Sequence, residues 1–307
     1  MKAMRYTAFG GPEVIERAEV EKPAITNPTD VLVRVKATAV NPLDMKIRSG
    51  MAQRIYPVQP PFIPGLEASG IVEAVGPGVT QVKVGDAVMA SAMGGTYADH
   101  AVFNEAAVSP KPERITFNEA ASLVVSLGTA WSILVKVGEV KADQRLLVQG
   151  AGGAVGGILV QMAKALGVYV IGTASGNGLN TLKALGADEV IDHKSQDFAQ
   201  LVRDVDLVAD LVGGEVQARS FGCLKQGGRL VSITMPPSQE LAQQHGVSAS
   251  FLSSDLSRRG LELGLDLLDL GNLKPIIAHT FKLDEAAQAQ AMVSAGGVNG
   301  KVVLEVG

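Results

Sequence analysis

RLLVQGAGGAVGGILVQMAKALG, residues 145–167, reads as a strand, a glycine-rich turn and a helix in that order. Leu146-Leu147-Val148 is a compact apolar run of the kind found in buried parallel strands. Gly150, Gly152, Gly153, Gly156 and Gly157 follow. Ile158, Leu159, Met162, Ala163 and Leu166 then recur at helical spacing, and Gly167 is placed to cap the helix.

The order strand, turn, helix gives the glycines a purpose. The N-terminus of a helix offers unpaired N–H groups and about half a unit of positive charge, which suits the pyrophosphate of a dinucleotide. Side chains in the turn would hold the phosphates off. The spacing fits Ala151-x-Gly153-x-x-Gly156, with Gly150 and Gly152 as extra freedom. Gly153 is then the close-approach position, and Gly156 lets helix and strand pack together. Ala151, Gly152, Gly153, Ala154, Val155 and Gly156 are the expected cofactor-binding turn. The competing reading is a glycine-rich turn with no ligand.

The rest of the chain bounds the possibilities. Its 307 residues are too many for one small core, so two domains are expected. Hydrophobic residues make up 47% and charged residues 19%, the balance of a packed protein and not a disordered one. A net charge of −4 without a basic cluster argues against a nucleic-acid partner. The single cysteine, Cys223, rules out a disulfide framework and fits a reducing, cytoplasmic setting. The N-terminal residues MKAMRYTAFGG lack the apolar core of a signal peptide. Glycines and charges interrupt the apolar runs, so no membrane insertion is expected.

Residues 1–124 read as strands and turns: 31–36, 70–75, 82–90 and 97–103 are β-rich, with Gly10-Gly11-Pro12, Gly76-Pro77-Gly78 and Gly94-Gly95 between such runs. Helical pattern begins near Asn118, a candidate N-cap. From Arg145 strands alternate with helices. Strands are expected at 168–171, 189–191, 206–210 and 229–234, a sixth at 247–252, and helices at 179–185, 198–203 and 257–270. The tail carries a helix over 284–295 and a strand over 301–304. The expected fold is α/β: a parallel-sheet domain at 125–270, and a β domain made of 1–124 and 271–307.

The end of the second parallel strand ordinarily separates the two nicotinamide cofactors, because an acid there holds the ribose 2′-hydroxyl of NAD. No Asp or Glu lies between Val168 and Leu182. Ser175 and Asn177 offer hydrogen bonds to a 2′-phosphate instead, which favours NADPH. That loop holds no Arg or Lys either, so His193 and Lys301 are the candidates to reach the phosphate from elsewhere. Val212, Gly213 and Ile233 end two further strands at the carboxyl edge of the sheet, where such folds bind ligands.

Several segments together resemble the zinc-free medium-chain dehydrogenases/reductases, in the quinone oxidoreductase (zeta-crystallin-like) and enone reductase branch. They are AVNPLDMK (39–46), PGLEASG (64–70), VGDAV (84–88), the glycine turn, LGADEVID (185–192) and GKVVL (300–304). The resemblance covers nearly the whole length. It implies a Rossmann-type doubly wound parallel sheet domain, a discontinuous, mainly β GroES-like domain, and a homodimer. The zinc-dependent relatives carry a His where this chain has Leu66. One Cys and four scattered His do not make up the three ligands that a catalytic zinc needs.

Without a Lewis acid, simple alcohol oxidation gives way to reduction of an electron-poor acceptor, a quinone or an α,β-unsaturated ketone. Hydride delivery to an enone leaves negative charge on oxygen, and donors aimed at that oxygen speed the step. The resemblance makes Asn41 and Lys46 the catalytic candidates. Tyr56 is a candidate for a mobile loop over the substrate, with an ordinary exposed aromatic as the alternative, and Thr129 a candidate to touch the nicotinamide, with an N-terminal helix residue of satisfied hydroxyl as the alternative. On residue type alone Lys46 is a surface lysine and Asn41 a turn residue before Pro42; Asp44 organises the backbone. Two other functions stay open: an NADPH-binding structural or sensing protein, and an enoyl-thioester reductase.

Overall fold

The computed structural model describes residues 1–254, 256–258, 261, 264–266, 271 and 273–307. In chain order the strands are β1 Lys2–Tyr6, β2 Ile15–Glu19, β3 Asp30–Val40, β4 Glu67–Val75, β5 Ala87–Ser91, β6 His100–Asn104, β7 Val108–Pro110, β8 Arg145–Gln149, β9 Tyr169–Ala174, β10 Glu189–Asp192, β11 Val205–Asp210, β12 Leu224–Ser232, β13 Ser248–Phe251, β14 Ile277–Lys282 and β15 Lys301–Glu305. The helices are α1 Pro42–Arg48, α2 Phe117–Trp131, α3 Ala154–Ala165, α4 Asn177–Ala184, α5 Phe198–Leu201, α6 Gly214–Ser220, α7 Gln239–His245 and α8 Ala286–Ala295. The helix expected over 257–270 falls largely outside the described residues.

The chain divides into two compact units. The first holds Met1–Val125, Leu256–Arg259 and Ile277–Gly307; the second holds Ser126–Asp255 and Gly260–Ile276. Residues 271–276, expected with the β domain, group with the second unit instead. Two facts explain this: the Gln161 amide bonds the backbone of Lys274 in both directions, and Ile276 packs over Gly157.

The first unit is built on a sheet ordered β14-β15-β3-β4-β5-β7, with β6 also paired to β3. Its long strand β3 alternates too little to leave one face wet: ten of its eleven residues are buried or half-buried. Strand β15 lies antiparallel along β3, Val302 opposite Val40 and Val303 opposite Ala39, so the tail of the chain completes this sheet. The core gathers Val31, Val33, Val35, Val72, Val88, Tyr97, Phe103, Val302 and Leu304. Strand β5 starts only at Ala87, because Gly85 at φ 94° turns the chain inside the stretch 82–90 that the sequence suggested as one strand.

The second unit is a six-stranded parallel sheet ordered β10-β9-β8-β11-β12-β13. Numbered within the unit this is 3-2-1-4-5-6, the dinucleotide-fold order. The direction of winding reverses between β8 and β11, which opens a crevice at their carboxyl ends.

Two expectations about α2 need correction. Asn118 does not cap it; its amide bonds Glu305. Thr116 and Glu119 form the cap, each side chain accepting the other's backbone N–H. The helical stretch Phe117–Val137 is also long and apolar enough, by length and composition, to cross a membrane, contrary to the expectation that no run would be. With 72% of its apolar window buried inside the protein, it has the character of a core helix.

Candidate active site

The glycine turn closes β8 and opens α3. Gly150 adopts φ 74°, a conformation that favours glycine. Its N–H donates to the Thr173 hydroxyl, and the Ala151 N–H donates to the Thr173 carbonyl. Thr173 in turn donates to the Gln149 amide oxygen, 2.9 Å away. The turn is thus pinned to the end of β9 by a residue of that strand. At Gly156 an added Cβ would lie 2.6 Å from the Ala151 backbone, so helix and turn pack closer than any side chain allows. At Gly153 the added Cβ meets only the Gly150 carbonyl, at 3.5 Å, which leaves open space over the helix start.

Gly153 is the N-cap of α3 and gives it no side-chain cap; the first turn carries no acid. Unpaired N–H groups facing open space fit a pyrophosphate. The residues present therefore fit a nicotinamide dinucleotide.

Across the crevice, β11 ends at Asp210, which is fully buried. Its carboxylate accepts from the N–H groups of Val212 and Gly213, from the Gln217 amide and from the Ser232 hydroxyl, at 2.7–3.1 Å. One side chain thereby shapes the loops after both β11 and β12, which carry Val212, Gly213 and Ile233. Asp210, Gln149 and Thr173 were missed in the sequence, although each is a polar residue at or near the end of an apolar strand.

Around the loop after β9, Ser175 is half-buried and Asn177 exposed. Asp192 of β10 sits in register with Ala174, and the His193 N–H bonds the Ala174 carbonyl. This brings exposed His193 and exposed Lys194 beside that loop. Lys194 was missed as well; parallel pairing of the two strands is the signal that finds it. Thr129 lies in the last turn of α2, almost wholly buried, with its hydroxyl 2.9 Å from that of Ser254.

In the first unit three polar side chains close a ring. Lys301 Nζ lies 2.6 Å from Glu67 Oε1 and donates to Asn41 Oδ1 at 2.6 Å. Asn41 Nδ2 donates to the same Glu67 oxygen at 2.9 Å. Glu67 Oε2 accepts the backbone N–H of Val125 at 2.7 Å. Asn41, Glu67 and Lys301 are 4%, 0% and 3% exposed. This corrects the expectation for Lys301: its ammonium is committed inside the first unit and does not serve as a 2′-phosphate cation. Asn41 Nδ2 also donates to the Ala39 carbonyl, but at 3.5 Å, the long limit of a hydrogen bond.

The ring rests on a fixed frame. Asp44 accepts the N–H of Asn41 and of Gly65, and the Tyr97 hydroxyl lies 3.4 Å away. Burial pushes the Asp44 carboxyl up to about 7, against the lowering effect of the Asn41 N–H and of Lys301. Lys46 is exposed on α1. Tyr56 is not on a free loop: it packs, half-buried, against the cluster of Ile47, Ala52 and Leu66.

Zinc does not fit these residues. Leu66 belongs to that apolar cluster, and both oxygens of the neighbouring Glu67 already face N–H donors. No group of three His, Cys, Asp or Glu able to hold a metal occurs among the described residues. Cys223 is buried, and burial pushes its thiol up to about 11.

A family model described as an alcohol dehydrogenase GroES-like domain matches residues 27–113, and one described as a zinc-binding dehydrogenase matches 185–304. The quinone oxidoreductase of Sus scrofa is 32% identical, over 99% of this chain and 97% of its own. Among solved structures, the quinone oxidoreductase from Coxiella burnetii aligns with a TM-score of 0.93 at 32% identity, covering 100% of this chain and 99% of that one. The Escherichia coli quinone oxidoreductase complexed with NADPH aligns at 0.90 and 29%, covering 100% of both. With this extent of likeness joined to the parallel-sheet order and the glycine turn, the chain belongs to the zinc-free quinone oxidoreductase branch of the medium-chain dehydrogenases/reductases and is an oxidoreductase that uses a nicotinamide cofactor.

Proposed function

We propose that this protein is an NADPH-dependent reductase that transfers hydride to quinones or α,β-unsaturated carbonyls without zinc. The observation that carries the reading is the open, uncapped start of α3 at Gly153, beside a β9 loop that has no carboxylate of its own. The similar quinone oxidoreductases, one of them complexed with NADPH, support the same reading.

When bound, NADPH supplies the hydride. The first N–H groups of α3 would hold its pyrophosphate, on a turn that Thr173 keeps in place. Ser175, Asn177 and His193 would offer hydrogen bonds to the 2′-phosphate, and Lys194 would bring positive charge to it. Hydride addition to an enone places negative charge on the carbonyl oxygen. The remaining N–H of Asn41 and the ammonium of Lys46 are the donors assigned to that oxygen, Lys46 also returning a proton. Zinc has no role in this reading, and both Glu67 oxygens facing N–H donors support that.

The test is NADPH oxidation with a small quinone and a small enone, with and without a chelator. Turnover of at least one class, indifferent to the chelator, is expected; no turnover over a broad acceptor panel, with tight NADPH binding, would leave a binding protein instead. Lys46→Ala should lower enone turnover more than NADPH affinity. Lys194→Ala should weaken NADPH roughly three- to tenfold, most at low salt, and leave NADH unchanged.

A further inference from the structure

The ring of Asn41, Glu67 and Lys301 is made of groups that cost free energy to bury. Replacing a buried ion pair by apolar side chains of similar size is often neutral or stabilising, so stability alone does not account for it. What the ring does provide is orientation. An ammonium only donates and a carboxylate only accepts. Lys301 can therefore face only the amide oxygen of Asn41, and Glu67 only its nitrogen. A flipped carboxamide would set Nδ2 against the ammonium and Oδ1 against the carboxylate.

The backbone beneath the carboxamide is held as well. Pro42 starts α1, Asp44 ties down the Asn41 N–H, and the Thr38 hydroxyl bonds the Glu67 carbonyl at 2.6 Å.

We propose that Lys301 and Glu67 are positioning residues that lock the Asn41 carboxamide in one orientation, so that its second N–H, held otherwise only by a 3.5 Å contact to the Ala39 carbonyl, is presented to the acceptor. The inference rests on the reading of Asn41 as a donor in the proposed function. Lys301 and Glu67 act through Asn41 and touch neither acceptor nor cofactor.

The variant to make is the double one, K301M/E67Q. It removes both charges together and so avoids stranding either in the core. It leaves an amide facing an amide, a pair that accepts both orientations. Three kinetic variants are compared for kcat, acceptor KM and NADPH affinity: K301M/E67Q, N41A and the triple N41A/K301M/E67Q. The expected result is a kcat lowered about tenfold or more in the double variant, with NADPH affinity held within about twofold. N41A should lose as much, and the triple variant no more than N41A, since groups acting as one unit are not additive. Losses that multiply, or a double variant with wild-type kcat, would overturn the proposal. So would an N41A enzyme at full kcat, although the reductase reading would survive that result.

A second readout needs no acceptor. In cofactor-free protein the Asn41 side-chain amide signals, identified by their absence in N41A, should exchange with water slowly and at least about tenfold faster in K301M/E67Q. Unchanged exchange overturns the lock. Faster exchange in a protein that reduces no acceptor supports the lock while removing the proposed function, so the two failures are told apart.

Discussion

The start of α3 and the ring at Asn41 solve opposite problems. Around Gly153 side chains are withheld: the helix start has no side-chain cap and no acid, and an added Cβ would meet only the Gly150 carbonyl at 3.5 Å. Around Glu67 the charges and the carboxamide oxygen are already matched within the protein, and only the second N–H of Asn41 is left to a long contact. The first region obtains affinity by leaving partners out, and the second obtains geometry by supplying partners for all but one N–H. Damage should therefore show in different quantities, binding in the first and stability or turnover in the second.

Removing the carboxylate from the closed region is the strongest way to break this contrast. Glu67→Ala strands the Lys301 ammonium in the core and should cost about 3–5 kcal/mol, a fall in Tm on the order of ten degrees by thermal denaturation. In the open region two glycines should separate cleanly. Gly156→Ala pushes a Cβ to 2.6 Å from the Ala151 backbone and should cost about 1–3 kcal/mol of stability. Gly153→Ala meets nothing closer than 3.5 Å. It should keep Tm and weaken NADPH roughly tenfold in a fluorescence titration, because the methyl fills the space meant for phosphate. Equal effects of the two on Tm would erase the distinction.

A further effect concerns Asp44 and is confined to one range of pH. Its carboxyl is raised to about 7 when folded, against an ordinary value of 3.8. Between those values the folded chain keeps a proton that the unfolded chain has lost. Stability from this group is full below about pH 4 and is lost as pH rises toward about 7. Asp44→Asn should flatten that part of the stability profile, measured by urea unfolding at several pH values.

The parallel-sheet unit was the more legible half. Strand, turn and helix are local there, and each helix returns the chain to the next strand, so periodicity and glycines report the order directly. The ring was illegible in the same terms. Asn41 and Lys301 stand 260 residues apart, and on residue type both look like surface groups. Only the antiparallel register of β15 on β3 brings them together. Lys301 was accordingly assigned to the cofactor, and Glu67 was given no role of its own. Asn118 was misread because a short polar residue before an apolar run suits a cap, and Thr116 offers the same signal two residues earlier.

The register of β15 also sets an order of events during synthesis. β3 and β4 leave the ribosome early, carrying Glu67. The strand that seals the sheet, with the cation that neutralises Glu67, is made only after the whole second unit. At the usual pace of translation the wait is on the order of ten seconds or more. During it the nascent β unit holds a carboxylate without its counterion and a long strand whose residues 37–40 still lack the partner that β15 supplies. The parallel-sheet unit, continuous through most of its length, has all its strands before then. The unit that begins first is thus the one that finishes last, and in that interval the cell's chaperones would find most to hold.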